Sequence, residues 1–362
     1  MLYHLARPVL FKMDPEKAHE LISHNLARAA AVPGVRAGMR AAYRYEHPLL
    51  ETQVWGLRFP NPVGIAAGFD KNAHLANVLP DLGFGFVEAG TVTSAAQSGN
   101  PKPRMFRFPE DKALINRLGF NNEGADAVAA RLERQGKPGV PLGVNIGKLK
   151  VVPNEHAVED FVKTYTRLFP YGDYFVVNIS SPNTPGLREL QDRGHLTALL
   201  SALTQRRREL AAASGRAPPP LLVKVAPDLT REQLDDVVTV AREFALDGLI
   251  ATNTTLSREG LSRSTDEAGG LSGAPLRERA QEVLRYLHQA SDGKIPLIGV
   301  GGLFTAEDAY QRIRAGASLL QLYTGFIYGG PDTVKRINRG LVERLRKAGY
   351  RSVAEAVGSG VA

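Results

Sequence analysis

Residues 221–238 read LLVKVAPDLTREQLDDVV. The first five form an almost unbroken apolar run of strand length, without the alternation that a half-wet strand would show, so this strand is buried on both faces. Thr230 then caps an amphipathic helical stretch. A doubly buried strand followed by a helix is the repeating unit of a parallel sheet. Working outward, seven further runs have the same character: VGIAA (63–67), GFVEA (85–89), LGVNI (142–146), YFVVNI (174–179), GLIATN (248–253), IPLIGV (295–300) and LLQLY (319–323). Thr305 opens another capped helix, TAEDAY (305–310). Eight such strands within residues 49–362 place the chain in the α/β class and fit a (β/α)8 TIM barrel better than an open doubly wound sheet. The long gap between the second and third strands, residues 90–141, must hold an insertion. The SGRAPPP stretch (214–220) is a helix-to-strand loop, because the alternation resumes in phase after it.

Residues 1–48 differ from the rest and read as an N-terminal helical hairpin extension. Asp14 can cap a helix and Pro15 suits its first turn; Ala18, Leu21, Ile22, Leu26 and Ala29 then form one apolar stripe, which Val32-Pro33-Gly34 ends. Upstream, Leu2, Tyr3, Leu5, Val9, Leu10 and Phe11 make a shorter cluster split by Pro8. Such a hairpin either packs on the main domain or turns its apolar face to lipid or a lipophilic ligand.

Composition narrows the function. The chain has 362 residues, 45 Lys+Arg against 37 Asp+Glu for a net charge of +8, and no cysteine. Disulfides, thiolate zinc sites, cysteine-ligated iron–sulfur clusters and thiol catalysis are excluded together. The positive surplus suits an anionic partner or reflects a bias towards arginine. Without a basic tract or an RNA-binding signature, nucleic acid is not expected. The first residues are too short an apolar run for a signal peptide, and the longest charge-free stretch, 315–331, is broken by four glycines, so no spanning helix is expected.

In a barrel of this kind the chemistry sits at the C-terminal strand ends. There the sequence offers mostly neutral amides and hydroxyls: Asn145, Asn178, Asn183 and Asn253, with Thr91, Ser181, Thr252 and Thr254. A single strand-end asparagine usually bonds its own backbone. Four converging on one mouth, with Asn116 from the insertion, supply donors and acceptors for a flat polar ring. Lys224, inside an apolar strand, must lose its hydration and calls for an anion. GVGG (299–302) and YTG (323–325) put small residues and free N–H groups on the last two strands, where barrels commonly hold a phosphate. No metal-ligand constellation appears, so no catalytic metal is expected.

The set AAGFDK (66–71), NRLGF (116–120), NISSPNTPGLR (178–188), VKVAPD (223–228), TNTT (252–255), GGLSG (269–273), GVGG (299–302) and LYTGFIYGGP (322–331) resembles the dihydroorotate dehydrogenase family, and in particular its quinone-dependent, membrane-associated class 2. The resemblance implies oxidation of (S)-dihydroorotate to orotate in de novo pyrimidine (UMP) biosynthesis, with FMN as hydride acceptor and a membrane quinone, menaquinone or ubiquinone, as final acceptor. It implies an FMN site at Ala67, Gly68, Lys71, Thr91, Asn145, Asn178, Lys224, Thr252, Gly273, Gly302, Tyr323 and Thr324. It implies substrate contacts at Lys71, Asn116, Arg117, Leu118, Gly119, Phe120, Asn178, Asn183, Asn253 and Thr254, with Ser181 as catalytic base. A serine must pass its proton onward, and Thr184, three residues along in the same loop, is the relay expected from its position. Residues 1–48 would then form a membrane and quinone-access hairpin, and 49–362 the FMN-binding catalytic barrel, peripheral on the cytoplasmic side of the cell (inner) membrane. Ser181 in place of a cysteine argues against an iron–sulfur partner subunit. Two other readings stay open: an FMN barrel oxidoreductase acting on a related dihydropyrimidine, and a non-catalytic flavin- or phosphate-binding barrel.

Overall fold

The structure is a computed structural model that describes residues 2–361; Met1 and Ala362, the outer ends of the two expected segments, lie outside the described residues. Eight parallel strands, β1 (Val63–Asp70), β2 (Phe86–Val92), β3 (Leu142–Ile146), β4 (Tyr174–Asn178), β5 (Leu221–Val225), β6 (Gly248–Ala251), β7 (Leu297–Val300) and β8 (Ala317–Leu322), close into one barrel. Their order around it is β6-β7-β8-β1-β2-β3-β4-β5. These are the eight runs expected from the sequence. Strands β2 to β7 are buried at every position, which is why their sequences do not alternate. One side of each strand packs on the surrounding helices; the other fills the lumen with Phe86, Tyr174, Val176, Leu222, Ile250, Ile298 and Leu319. Thr230 and Thr305 each complete a capping box, with Gln233 and Asp308 respectively.

Three features decorate the barrel. A short hairpin, Thr52–Val54 with Leu57–Phe59, plugs the floor. Its Val54 and Phe59 join the lumen core, and the indole of Trp55 donates to the carbonyl of Asp247 at 2.5 Å. The expected insertion after β2 supplies Met105–Phe108 and Ala113–Asn116, which pair antiparallel; Gly270–Gly273, from beyond β6, adds a third strand. That small sheet stands at the mouth and sets Asn116 opposite Gly270.

The first 48 residues hold three helices where the sequence suggested a hairpin: α1 (Leu2–Lys12), α2 (Pro15–Ala30) and α3 (Val35–Tyr43). Helix α1 runs through Pro8 instead of breaking there. The N–H that proline lacks is one local bond, and α1 is held by contacts outside itself: Arg7 donates to the carbonyl of Tyr328 at 3.2 Å, and the Phe11 ring meets Tyr328 edge-on at 5.2 Å. Asp14 caps α2 as expected, accepting from the N–H groups of Glu16 and Lys17. Glu16 is buried and pairs with Arg104 of the insertion at 2.6 Å. Helix α3 depends on the barrel: Arg36, Arg40 and Arg44 converge at 2.5, 3.1 and 3.6 Å on the buried carboxylate of Asp81.

Candidate active site

At the C-terminal end of the barrel lies a cavity of about 970 Å³. An amide ladder climbs into it from below. Glu88 on β2 is fully buried and accepts from the amide of Asn145 at 2.9 Å and from Gln321 and Tyr174. Asn145 in turn accepts from Thr91 and from the amide of Asn178 at 3.2 Å. Asn253 donates to Asn178 at 3.3 Å and to the Ser180 hydroxyl at 3.0 Å. The β4–β5 register sets Asn178 directly beside Lys224. Each amide is thereby fixed in orientation by its neighbour, so the mouth presents a defined pattern of donors and acceptors.

Lys224 lines this cavity, is buried, and donates to no protein acceptor among the described residues. Burial pushes its pKa down, against the pull of the Glu88 carboxylate. Lys71, after β1, also lines the cavity and donates to the Gly68 carbonyl at 2.9 Å. Burial lowers its pKa to about 8, opposed by the nearby Glu16. Two ammonium groups so placed favour an anionic occupant.

The loop after β4 carries Ser181 into the cavity. The Ser181 hydroxyl accepts from the N–H of Asn183 at 3.3 Å, and the Thr184 hydroxyl is buried without a partner. Arg188 clamps the loop, donating to the carbonyls of Ser180 at 3.1 Å and Thr254 at 3.0 Å and pairing with Asp228 at 2.8 Å. Asn100 ties the opposite side by donating to the Asn183 carbonyl at 3.1 Å, while Asn183 donates to Asn116 at 3.2 Å.

Nearly all residues expected at the site converge here. Ala67, Gly68, Lys71, Thr91, Asn178, Lys224, Thr252, Gly273, Gly302, Tyr323 and Thr324 line the cavity, as do Asn116, Leu118, Gly119, Phe120, Ser181, Asn183, Asn253 and Thr254. Two stand apart. Asn145 lies one layer below, as a rung of the ladder. Arg117 points away: its guanidinium pairs with Glu267 at 2.6 Å and stacks over Phe106 at 4.5 Å, because the small sheet turns alternate side chains outward. The sequence reading overlooked Glu88 and Gln321, although a charged or amide residue inside an apolar strand is the same signal that singled out Lys224.

A flavin mononucleotide fits the residues present. The unpartnered ammonium of Lys224 faces the cavity, and the N–H groups of Gly301 and Gly302 donate to no backbone acceptor among the described residues. Those are the two things an electron-accepting ring and a phosphate require.

A second cavity, of about 1350 Å³, lies between α1–α3 and the barrel. Leu10, Phe11, Ile22, Leu26, Met39 and Phe326 make it largely apolar, and His19 and Arg107 are its notable polar groups. Tyr323 lines both cavities. The His19 ring stands edge-on to Phe69 at 4.9 Å, and burial, reinforced by Lys71, lowers its pKa to about 4.

The family model described as dihydroorotate dehydrogenase matches residues 49–345. A protein of Gloeobacter violaceus described as dihydroorotate dehydrogenase (quinone) is 51% identical over 99% of this chain and 98% of its own. One from Halobacterium salinarum, described in the same words, is 50% identical over 99% of both chains. The crystal structure of DHODH from Eimeria tenella in complex with ferulenol is 41% identical, with a TM-score of 0.88 over 96% of this chain and 95% of that one. The chain belongs to the dihydroorotate dehydrogenase family.

Proposed function

We propose that this member of the dihydroorotate dehydrogenase family oxidises (S)-dihydroorotate to orotate in pyrimidine biosynthesis, with FMN in the barrel mouth and a membrane quinone as final electron acceptor. The observation that carries the reading is the pair of cavities sharing the Tyr323 wall, one ringed by amides and ammonium groups, the other apolar and walled by α1–α3.

FMN, when bound, supplies the two-electron acceptor for the hydride of C6. The protein does the rest. Lys71 meets the substrate carboxylate, and Asn116, Asn178, Asn183 and Asn253 hold the ring amides, with Thr254 closing the pattern. Ser181 takes the proton from C5. A serine hydroxyl is a poor base near neutral pH and must pass that proton on. The buried, unpartnered hydroxyl of Thr184 in the same loop supports it as the relay. Lys224 holds positive charge where negative charge develops on the cofactor ring. The Arg117 side chain braces the small sheet.

The second cavity admits the quinone. Leu5, Val9, Leu21, Ile22 and Val32 are exposed on α1, α2 and the turn after them, at 76, 66, 45, 46 and 54%. Apolar side chains so exposed on adjacent helices mark a surface that lies in a lipid interface. No helix among the described residues is long and apolar enough to cross a membrane. The exposed apolar side chains of α1 and α2 support peripheral attachment, which we place on the cytoplasmic side of the inner membrane.

One experiment tests the whole. Dihydroorotate should bleach the yellow holoprotein, and a short-chain quinone in vesicles should restore the colour, whereas NAD or fumarate should not. Absence of bleaching overturns the enzyme reading; recovery with NAD alone overturns the quinone.

A further inference from the structure

Arg312 lies on the helix Ala306–Arg314 behind β7 and is fully buried, the largest side chain so enclosed. Among the described residues it forms no ion pair. Its guanidinium instead donates to three carbonyls: Val300 at 3.1 Å, Gly301 at 2.8 Å and Arg277 at 3.1 Å. Its Nε is buried without a partner. Arg277, half-exposed beside it, donates to the Gly302 carbonyl at 2.9 Å and pairs with Asp308 at 3.1 Å. Among the described residues the carboxylate that pulls on Arg312 is Asp308, and it is already engaged by Arg277 and by the N–H groups of Phe304 and Thr305.

The glycines of the GVGG motif make room for this arrangement. A Cβ on Gly299 would stand 2.6 Å from Cγ of Arg312, and one on Gly302 would stand 2.4 Å from Cα of Arg277. Two arginines thus seize the carbonyls of residues 300, 301 and 302 from behind the strand end. The N–H groups of Gly301 and Gly302 find no acceptor on that side, and both residues line the cavity. A buried guanidinium without a carboxylate is costly unless an anion completes it. Neither lysine of the cavity belongs to these strand ends.

We propose that Arg312, seconded by Arg277, is the positioning residue of the cofactor's phosphate site. Arg312 fixes the carbonyls of Val300 and Gly301, and Arg277 that of Gly302, so that the N–H groups of Gly301 and Gly302 face the phosphate, and Arg312 supplies through the peptide layer the countercharge that no cavity side chain provides there. The proposal rests on the FMN reading above.

The test is to strip the flavin and titrate the apoprotein with FMN and with riboflavin, which carries the same ring without phosphate. Wild type should prefer FMN. Arg312→Gln should weaken FMN at least about tenfold while changing riboflavin less than about twofold. Equal losses for both ligands, or no loss for FMN, overturn the proposal. If Arg312→Gln does not fold, Arg277→Gln decides, since it removes the half-exposed partner: an FMN-selective loss of about threefold supports the proposal, and a loss shared with riboflavin overturns it. A wild-type protein that binds neither flavin would instead defeat the FMN reading, separately from the role of Arg312.

Discussion

The barrel mouth and the N-terminal helices each enclose a cavity, and they are built on opposite plans. In the mouth, almost every polar side chain is oriented by another: Glu88 holds Asn145, Asn145 holds Thr91 and Asn178, and Arg188 clamps the Ser181 loop. Under the helices the walls are apolar and the anchors are few, chiefly Glu16 with Arg104 and three arginines on Asp81. The difference teaches how one chain serves two kinds of reactant. A small anion is selected by fixed dipoles, which need a rigid frame. A lipophilic acceptor is selected by apolar area, for which a looser lid suffices.

The largest break in this comparison comes from Ser181→Ala. It should lower turnover with dihydroorotate by about 10²–10⁴-fold while the protein stays yellow, as stopped-flow bleaching would measure. Unchanged bleaching would remove Ser181 from the proton path.

Next comes Glu16→Gln, which leaves Arg104 buried without its anion. Losing one partner of such a pair costs roughly 3 kcal/mol. Arg104 also donates to the carbonyls of Ser98 at 2.6 Å and Asn100 at 2.7 Å, so part of the strain reaches the mouth. Quinone-dependent reoxidation should nevertheless fall far more than bleaching by dihydroorotate. Equal losses would show that the two regions are one unit.

Lys71 sharpens the comparison through pH. Its folded pKa, about 8, lies below the ordinary lysine value, so in the free protein it sheds its proton above pH 8. In the role proposed for Lys71, orotate binding needs the charged form. Affinity should therefore hold below pH 8 and weaken by up to about tenfold per pH unit above it, as flavin-absorbance titrations would show. For His19 the sign runs the other way. Its pKa of about 4 means that the folded helices favour the neutral ring, so their docking should loosen as pH falls from about 6.5 towards 4. Hydrogen exchange confined to α1–α3 would report it.

The smallest effect is expected from Val9→Ala. Removing two methyl equivalents at an exposed position should weaken vesicle binding by less than about tenfold and leave bleaching untouched. A change in bleaching would mean that α1 reaches the polar site.

The two regions also differ in how much of them the sequence discloses. The eight barrel strands are legible because burial on both faces writes itself as unbroken apolar runs, and the mouth is legible because several strand-end asparagines converge where a single one would be a turn residue. The N-terminal region is legible only where local chemistry acts, as in the Asp14 cap and the α2 stripe. Helix α3 escapes notice because VRAGMRAAY is only nine residues long and is interrupted by Gly38; its arginines make sense only against Asp81, far along the chain. The small sheet is missed for the same reason, since Gly270–Gly273 pairs with a strand some 150 residues earlier. Arg117 shows the reverse case, in which a motif read as lying at the site includes a residue whose side chain turns outward.

The plug of Trp55 and Phe59 across the barrel floor has a kinetic meaning as well as a structural one. A closed floor makes the polar cavity a cul-de-sac for water-soluble molecules. Substrate and product then share the mouth end of the barrel. Orotate that lingers bars the next dihydroorotate, so the two should compete for free enzyme, and traffic at the mouth sets the pace whenever orotate accumulates.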